Sequence, residues 1–100
     1  MSVWEVALVT VAEGKQEEFA SVLRAHLPLL RESGGCLDVK LLRAIDKDGA
    51  VLVCLEWPTL EHHTEAFVGS EPYDKLASAV LPFFIEPAQV FHANSLIDGF

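Results

Sequence analysis

The sequence predicts an α+β domain whose elements run β-α-β-β-α-β. Three observations carry this reading. Val3 to Val11 and Ala50 to Trp57 are Val- and Leu-rich runs that are apolar on both faces, as strands of a covered sheet are. Lys15 to Glu32, and the region from Pro58 to Leu81, repeat apolar residues at helical spacing. Asp46-Lys47-Asp48-Gly49 lies between two strand-like runs and reads as a hairpin turn, with the glycine supplying positive φ.

The elements follow in order. In the first strand, VWEVALVTV, only Glu5 and Thr10 interrupt the apolar run. Glu13-Gly14 breaks it. One helix is predicted from Lys15 to Glu32, with Phe19, Val22, Leu23, Leu27 and Leu30 on its apolar stripe. Glu17 and Glu18 suit its N-terminal dipole and Arg31 its C-terminal one. Pro28 removes one backbone bond and is predicted to kink this helix near Arg24. Ser33-Gly34-Gly35 ends it. Cys36 to Ile45 is a strand with Leu37, Val39 and Leu41 on one face and Asp38 and Lys40 on the wetter one. Closing the hairpin puts Cys54 opposite Leu41 to Arg43, so Cys36 lies about 17 Å further along and the two thiols stay apart. The second helical region is capped by Thr59 and places Leu60, His63, Thr64 and Phe67 on one face. It breaks at Gly69-Ser70-Glu71-Pro72, resumes through Tyr73, Leu76, Ala77, Val80 and Leu81, and leads to a last strand from Ala88 to Leu96. This order is the ferredoxin-like plan: a four-stranded antiparallel sheet with its helices on one face.

Composition adds a constraint. The chain has 100 residues, 51% of them hydrophobic, and seven basic against fifteen acidic residues give a net charge of −8. The mass is 11.0 kDa and the mean hydropathy +0.31. One domain spanning residues 1–100 is expected. The acidic surface points away from nucleic acid and anionic membranes, and no apolar run reaches the roughly 20 residues of a membrane helix. The start lacks a basic leader followed by an apolar stretch, so a cytoplasmic setting is expected. Two strands apolar on both faces, with helices on one face only, leave an apolar sheet face to be covered. A second copy packing the same face on it, as a two-fold homodimer, is the expected cover.

Gly14-Lys15 with Phe19 after the first strand, Gly35-Cys36-Leu37 opening the second, the third strand ending at Trp57, and the later Ser70 and Tyr73 together resemble the antibiotic biosynthesis monooxygenase (ABM) family of dimeric α/β-barrel proteins. The resemblance spans nearly the whole chain. It implies a homodimer whose sheets form a barrel, with a pocket in each protomer between sheet and helices. It also implies a cofactor-independent monooxygenase acting on a small planar aromatic, a phenol, quinol or polyketide-like molecule, with O2 and neither metal nor flavin. Many members carry Glu two residues before the Trp and His nine residues after it. Here those positions are Leu55 and Ala66. The heme-degrading branch carries an Asn that aligns with Ala7, which points away from heme degradation.

Within that frame the candidate catalytic residue is His63, on the apolar face of the second helical region, where an imidazole facing a cavity can move protons near neutral pH. Trp57, Phe67, Tyr73 and Phe83 are the candidate ligand-pocket residues, offering flat apolar surface and, in Tyr73, a hydroxyl for a phenol or ketone. His62 is expected to face solvent, so the His-His pair is no chelate. His26 and His92 read as structural, and four scattered histidines make no metal site. Cys36 and Cys54 read as small apolar fillers. A non-catalytic dimer that binds a small apolar molecule, and an isomerase of a small carbonyl compound, are the alternative readings.

Overall fold

Four antiparallel strands form one sheet in the order β2-β3-β1-β4. They are β1 (Val3–Thr10), β2 (Asp38–Arg43), β3 (Ala50–Trp57) and β4 (Gln89–Ala93). The computed structural model describes residues 2–99, with Gly34, His63, Glu65 and Ala66 described by their backbone alone. The helices are α1 (Gln16–Ala25), α2 (Leu27–Gly34) and α3 (Glu71–Val80), joined by a π-helical segment at His62–Phe67 and a 3-10 turn at Leu81–Phe83. Among the described residues no helix is long and apolar enough to cross a membrane.

The predicted α+β plan is the observed one, and its boundaries shift for physical reasons. The single helix from Lys15 to Glu32 is two helices that meet at His26. Pro28 has no N–H for the Arg24 carbonyl, so instead of bending a continuous helix it sits in the first turn of a new one. His26 closes the break, its backbone N–H bonding to the Leu23 carbonyl at 3.0 Å and its Nδ1–H to that of Val22 at 2.8 Å. Cys36 is not yet strand, because its N–H bonds to the Leu30 carbonyl of α2. Leu37 makes the first bond to β3, to the Glu56 carbonyl at 2.7 Å. The hairpin register differs by a step from the expected one: Cys54 pairs with Lys40, and both thiols are free. The last strand stops at Ala93, short of Leu96, because its partner Trp4 is one residue from the start of β1.

The turn glycine behaves as expected. Gly49 has φ +74°, and a Cβ there would lie 2.8 Å from the Val11 carbonyl oxygen.

The second helical region departs most from a 3.6-residue repeat. The Thr64 hydroxyl donates to the Leu60 carbonyl at 3.1 Å, taking the acceptor that the Thr64 N–H would use in an α-helix. The turn widens to π geometry, and the predicted apolar stripe does not form. Leu60 is 41% exposed and Thr64 is exposed, while Phe67 is buried. Helix α3 then starts cleanly at Ser70, whose Oγ accepts from the Tyr73 N–H at 3.3 Å and donates to the Phe67 carbonyl at 2.5 Å. Ser70→Ala removes both bonds. It is expected to cost about 1 kcal/mol, or roughly 4–8 °C in a thermal melt of a domain this size. An unchanged melt would show that the cap contributes nothing.

The helices cover one sheet face in two apolar clusters. One holds Leu23, Leu30, Cys36, Leu55, Trp57, Phe67 and Leu76 at the end of the sheet where β3 finishes. The other holds Ala7, Val9, Val11, Phe19 and Val51 at the opposite end. Strand parity sends Trp4, Val6, Leu8, Leu42, Leu52, Cys54 and Phe91 to the other face, where no helix among the described residues covers them.

Candidate functional site

The aromatic residues singled out in the sequence divide between the two clusters. Trp57 ends β3 with no exposed surface, so no water-sized space touches it. Phe67, the last residue of the π segment, lies against it with ring centroids 5.4 Å apart. Tyr73, in the first turn of α3, meets Phe67 edge to face at 5.6 Å. These three form one aromatic layer between the sheet and the helices. Phe83 lies apart from them, packed at 5.8 Å on Phe19 in the other cluster. His63 lies in the π segment, but its side chain falls outside the described residues. His62 is exposed, and its Nδ1 stands 2.7 Å from the Thr59 hydroxyl.

The sequence reading passed over Glu5. It lies on the helix-facing side of β1 with Ala7 and Val9, opposite Leu55 of β3 and His92 of β4. The Trp57 indole N–H donates to its Oε1 at 3.2 Å. Burial pushes the Glu5 carboxyl up from 4.5 to about 7, against the smaller opposing pull of the indole bond. A carboxyl so placed is poised between its two protonation states near neutral pH. The Cys36 thiol is pushed up chiefly by burial. The Asp38 carbonyl that accepts its bond pulls it down, and the Glu5 charge adds to the rise, which places the thiol within the field of the carboxyl. Among the described residues, no three of His, Cys, Asp and Glu converge as a metal ion requires.

Open grooves lie elsewhere. One of 490 Å³ runs between α2 and the start of β2, over Leu27, Arg31, Cys36 and Val39. Another, of 410 Å³, lies beside the Gly49 turn. The interior layer is packed with its own rings, and among the described residues it offers the Glu5 carboxyl, the Trp57 indole donor, the Cys36 thiol and flat apolar walls.

Comparison with known proteins gives this arrangement a family. The profile of the antibiotic biosynthesis monooxygenases matches residues 2–79. The uncharacterized protein YczJ of Bacillus subtilis is 30% identical over 88 residues, covering 88% of this chain and 93% of that protein. The fold is similar to the crystal structure of a Bordetella bronchiseptica protein assigned to the antibiotic biosynthesis monooxygenases. That match has a TM-score of 0.90 and 26% identity, and covers 96% of this chain and 98% of that one. It is also similar in fold to SnoaB, a cofactor-independent oxygenase from Streptomyces nogalater, with a TM-score of 0.81, 21% identity, and coverage of 97% and 95%. The chain belongs to the antibiotic biosynthesis monooxygenase family.

Proposed function

We propose that the protein is a cofactor-independent monooxygenase for a small planar aromatic, a phenol, quinol or polyketide-like molecule, and that it works as a homodimer through the open sheet face in the cytoplasm. The observation that carries this reading is the aromatic layer of Trp57, Phe67 and Tyr73 above a buried carboxyl. Flat apolar walls suit a planar ring system, and burial strips water from a carbanion before O2 meets it. For a substrate methylene flanked by aromatic rings the balance is CH2 + O2 → C=O + H2O. The electrons come from the substrate, so the protein has only to desolvate, orient and move protons. His63 is the proton carrier that the sequence proposes for this task. Similarity in fold to SnoaB supports the reaction class.

The complete covering of Trp57 favours a second reading, in which the protein binds a small apolar molecule without turning it over. The test is O2 uptake by the purified protein with anthrone or a quinol. O2 uptake by the wild-type dimer is the expected result, and its loss in His63→Ala with the dimer intact would place proton transfer on the imidazole. Tight binding without turnover across a panel of such substrates would establish the second reading. Turnover without O2 would point instead to isomerisation of a carbonyl compound.

A further inference from the structure

We propose that the Glu5 carboxylate, aimed by the Trp57 indole, is the base that takes the acidic C–H or O–H proton of the bound aromatic. This rests on the monooxygenase reading and assigns its proton transfer to a residue outside the π segment. The geometry supports it in three ways. Glu5 lies on the helix-facing side of the sheet, where its neighbours along the strand are Ala7 and Val9, so a carboxyl there costs desolvation that an apolar residue would not. The indole N–H fixes Oε1 at 3.2 Å, which holds the group in one orientation at the edge of the aromatic layer. The rings that would contact a planar ligand, Trp57, Phe67 and Tyr73, belong to the cluster that the indole joins to this carboxyl.

The charge balance is simple. The ionised carboxylate accepts one proton and leaves the substrate as its anion. The anion adds O2 as a peroxide, and the carboxylic acid returns its proton to the outer peroxide oxygen. The carboxylate then takes the remaining C–H proton as the C=O bond forms and the O–O bond breaks, and passes it to the departing hydroxide, so that water leaves. A carboxyl that is half ionised near pH 7 can do both. The other titratable groups near it are His92, opposite it on β4, and the Cys36 thiol ahead of β2. Trp57 and Phe67 are covered, so a planar ligand reaches the layer only if its rings move apart.

The experiment uses anthrone without O2, where only binding and proton loss occur. Binding is read from tryptophan fluorescence, and ionisation from the absorbance of the anthrone anion. Wild type is expected to bind and ionise the probe, with ionisation rising through pH 7. Glu5→Gln is expected to bind it and to ionise it about 10²-fold or more slowly, while the surface change Glu61→Gln leaves both unaltered. Ionisation by Glu5→Gln within about threefold of wild type overturns the assignment and leaves the monooxygenase reading standing. So does loss in His63→Gln alone, which would make the imidazole the base. Wild type that binds without ionising also overturns it. If wild type binds no anthrone and takes up no O2 with the whole panel, the monooxygenase reading falls, and the assignment with it.

Discussion

Leu52→Lys is expected to convert the protein from a dimer of about 22 kDa, twice 11.0 kDa, to a monomer at micromolar concentration, with the protomer still folded. Leu52 sits at the middle of the open face, between Leu8 of β1 and Leu42 of β2. The next row holds Val6 and Cys54 on the central strands and Phe91 on β4, where the phenyl ring is 55% exposed. No described helix packs on this face and Leu52 is only half-buried, so a lysine there can reach water in the monomer and changes its stability by about 1 kcal/mol at most. Against a second sheet the same ammonium is desolvated, and two-fold symmetry introduces it twice. Each uncompensated buried charge costs several kcal/mol, and every 1.4 kcal/mol is tenfold in affinity, so dissociation strengthens by roughly 10³ or more. Light scattering reads the change directly. A wild-type mass near 11 kDa, or a Leu52→Lys dimer as tight as wild type, would mean that this face is not the interface.

The same face shows how far the sequence could be read. The four strands and their order were legible because strand and helix periods differ, 2 against 3.6, and because β1 and β3 are too apolar to be solvated on either side. That richness also hid something. With both faces of β1 apolar, parity groups Glu5 with Ala7 and Val9 but cannot say whether that face meets helices or the second copy. Glu5 therefore read as an interruption in the strand. Only the tertiary arrangement, with Trp57 on the helix side of β3, gives it a partner and a buried setting. The π segment was illegible for a different reason. One hydroxyl, that of Thr64, competes for a backbone acceptor, and the periodicity of Leu60, His63, Thr64 and Phe67 carries no sign of it. Trp57, Phe67 and Tyr73 were singled out as one group and the structure brings them together. Phe83 is a candidate for the same pocket as one of several aromatics that could line it, and the 3-10 turn after α3 carries it to Phe19.

Glu5→Gln is expected to remove a pH dependence worth about 3 kcal/mol from the stability of the protein. The carboxyl titrates at about 7 in the folded chain against 4.5 for an ordinary glutamate, because burial disfavours its charged form. Below pH 4.5 the group is protonated in both states and costs little. Between 4.5 and 7 the unfolded chain releases the proton and the folded chain keeps it, so stability falls as pH rises, by at most 1.36 kcal/mol per unit. Above 7 both states are ionised and the whole penalty stands. The sign is opposite to that of a salt-bridged carboxylate, which stabilises as pH rises. Glutamine keeps a carbonyl for the Trp57 indole and has no proton to release, so its advantage over wild type should be small at pH 4 and reach about 3 kcal/mol at pH 8. Urea denaturation at several pH values, at one fixed protein concentration, measures the difference. Taking wild type against mutant cancels the titration of His92, Cys36 and the surface carboxylates wherever they do not couple to Glu5. A difference that stays flat from pH 4 to 8 would show that the carboxyl ionises in the fold at no cost and is solvated as it does so. A difference that grows identifies a group the fold retains at the expense of its own stability. That expense is expected of a proton acceptor held away from water, and an apolar side chain at position 5 would avoid it.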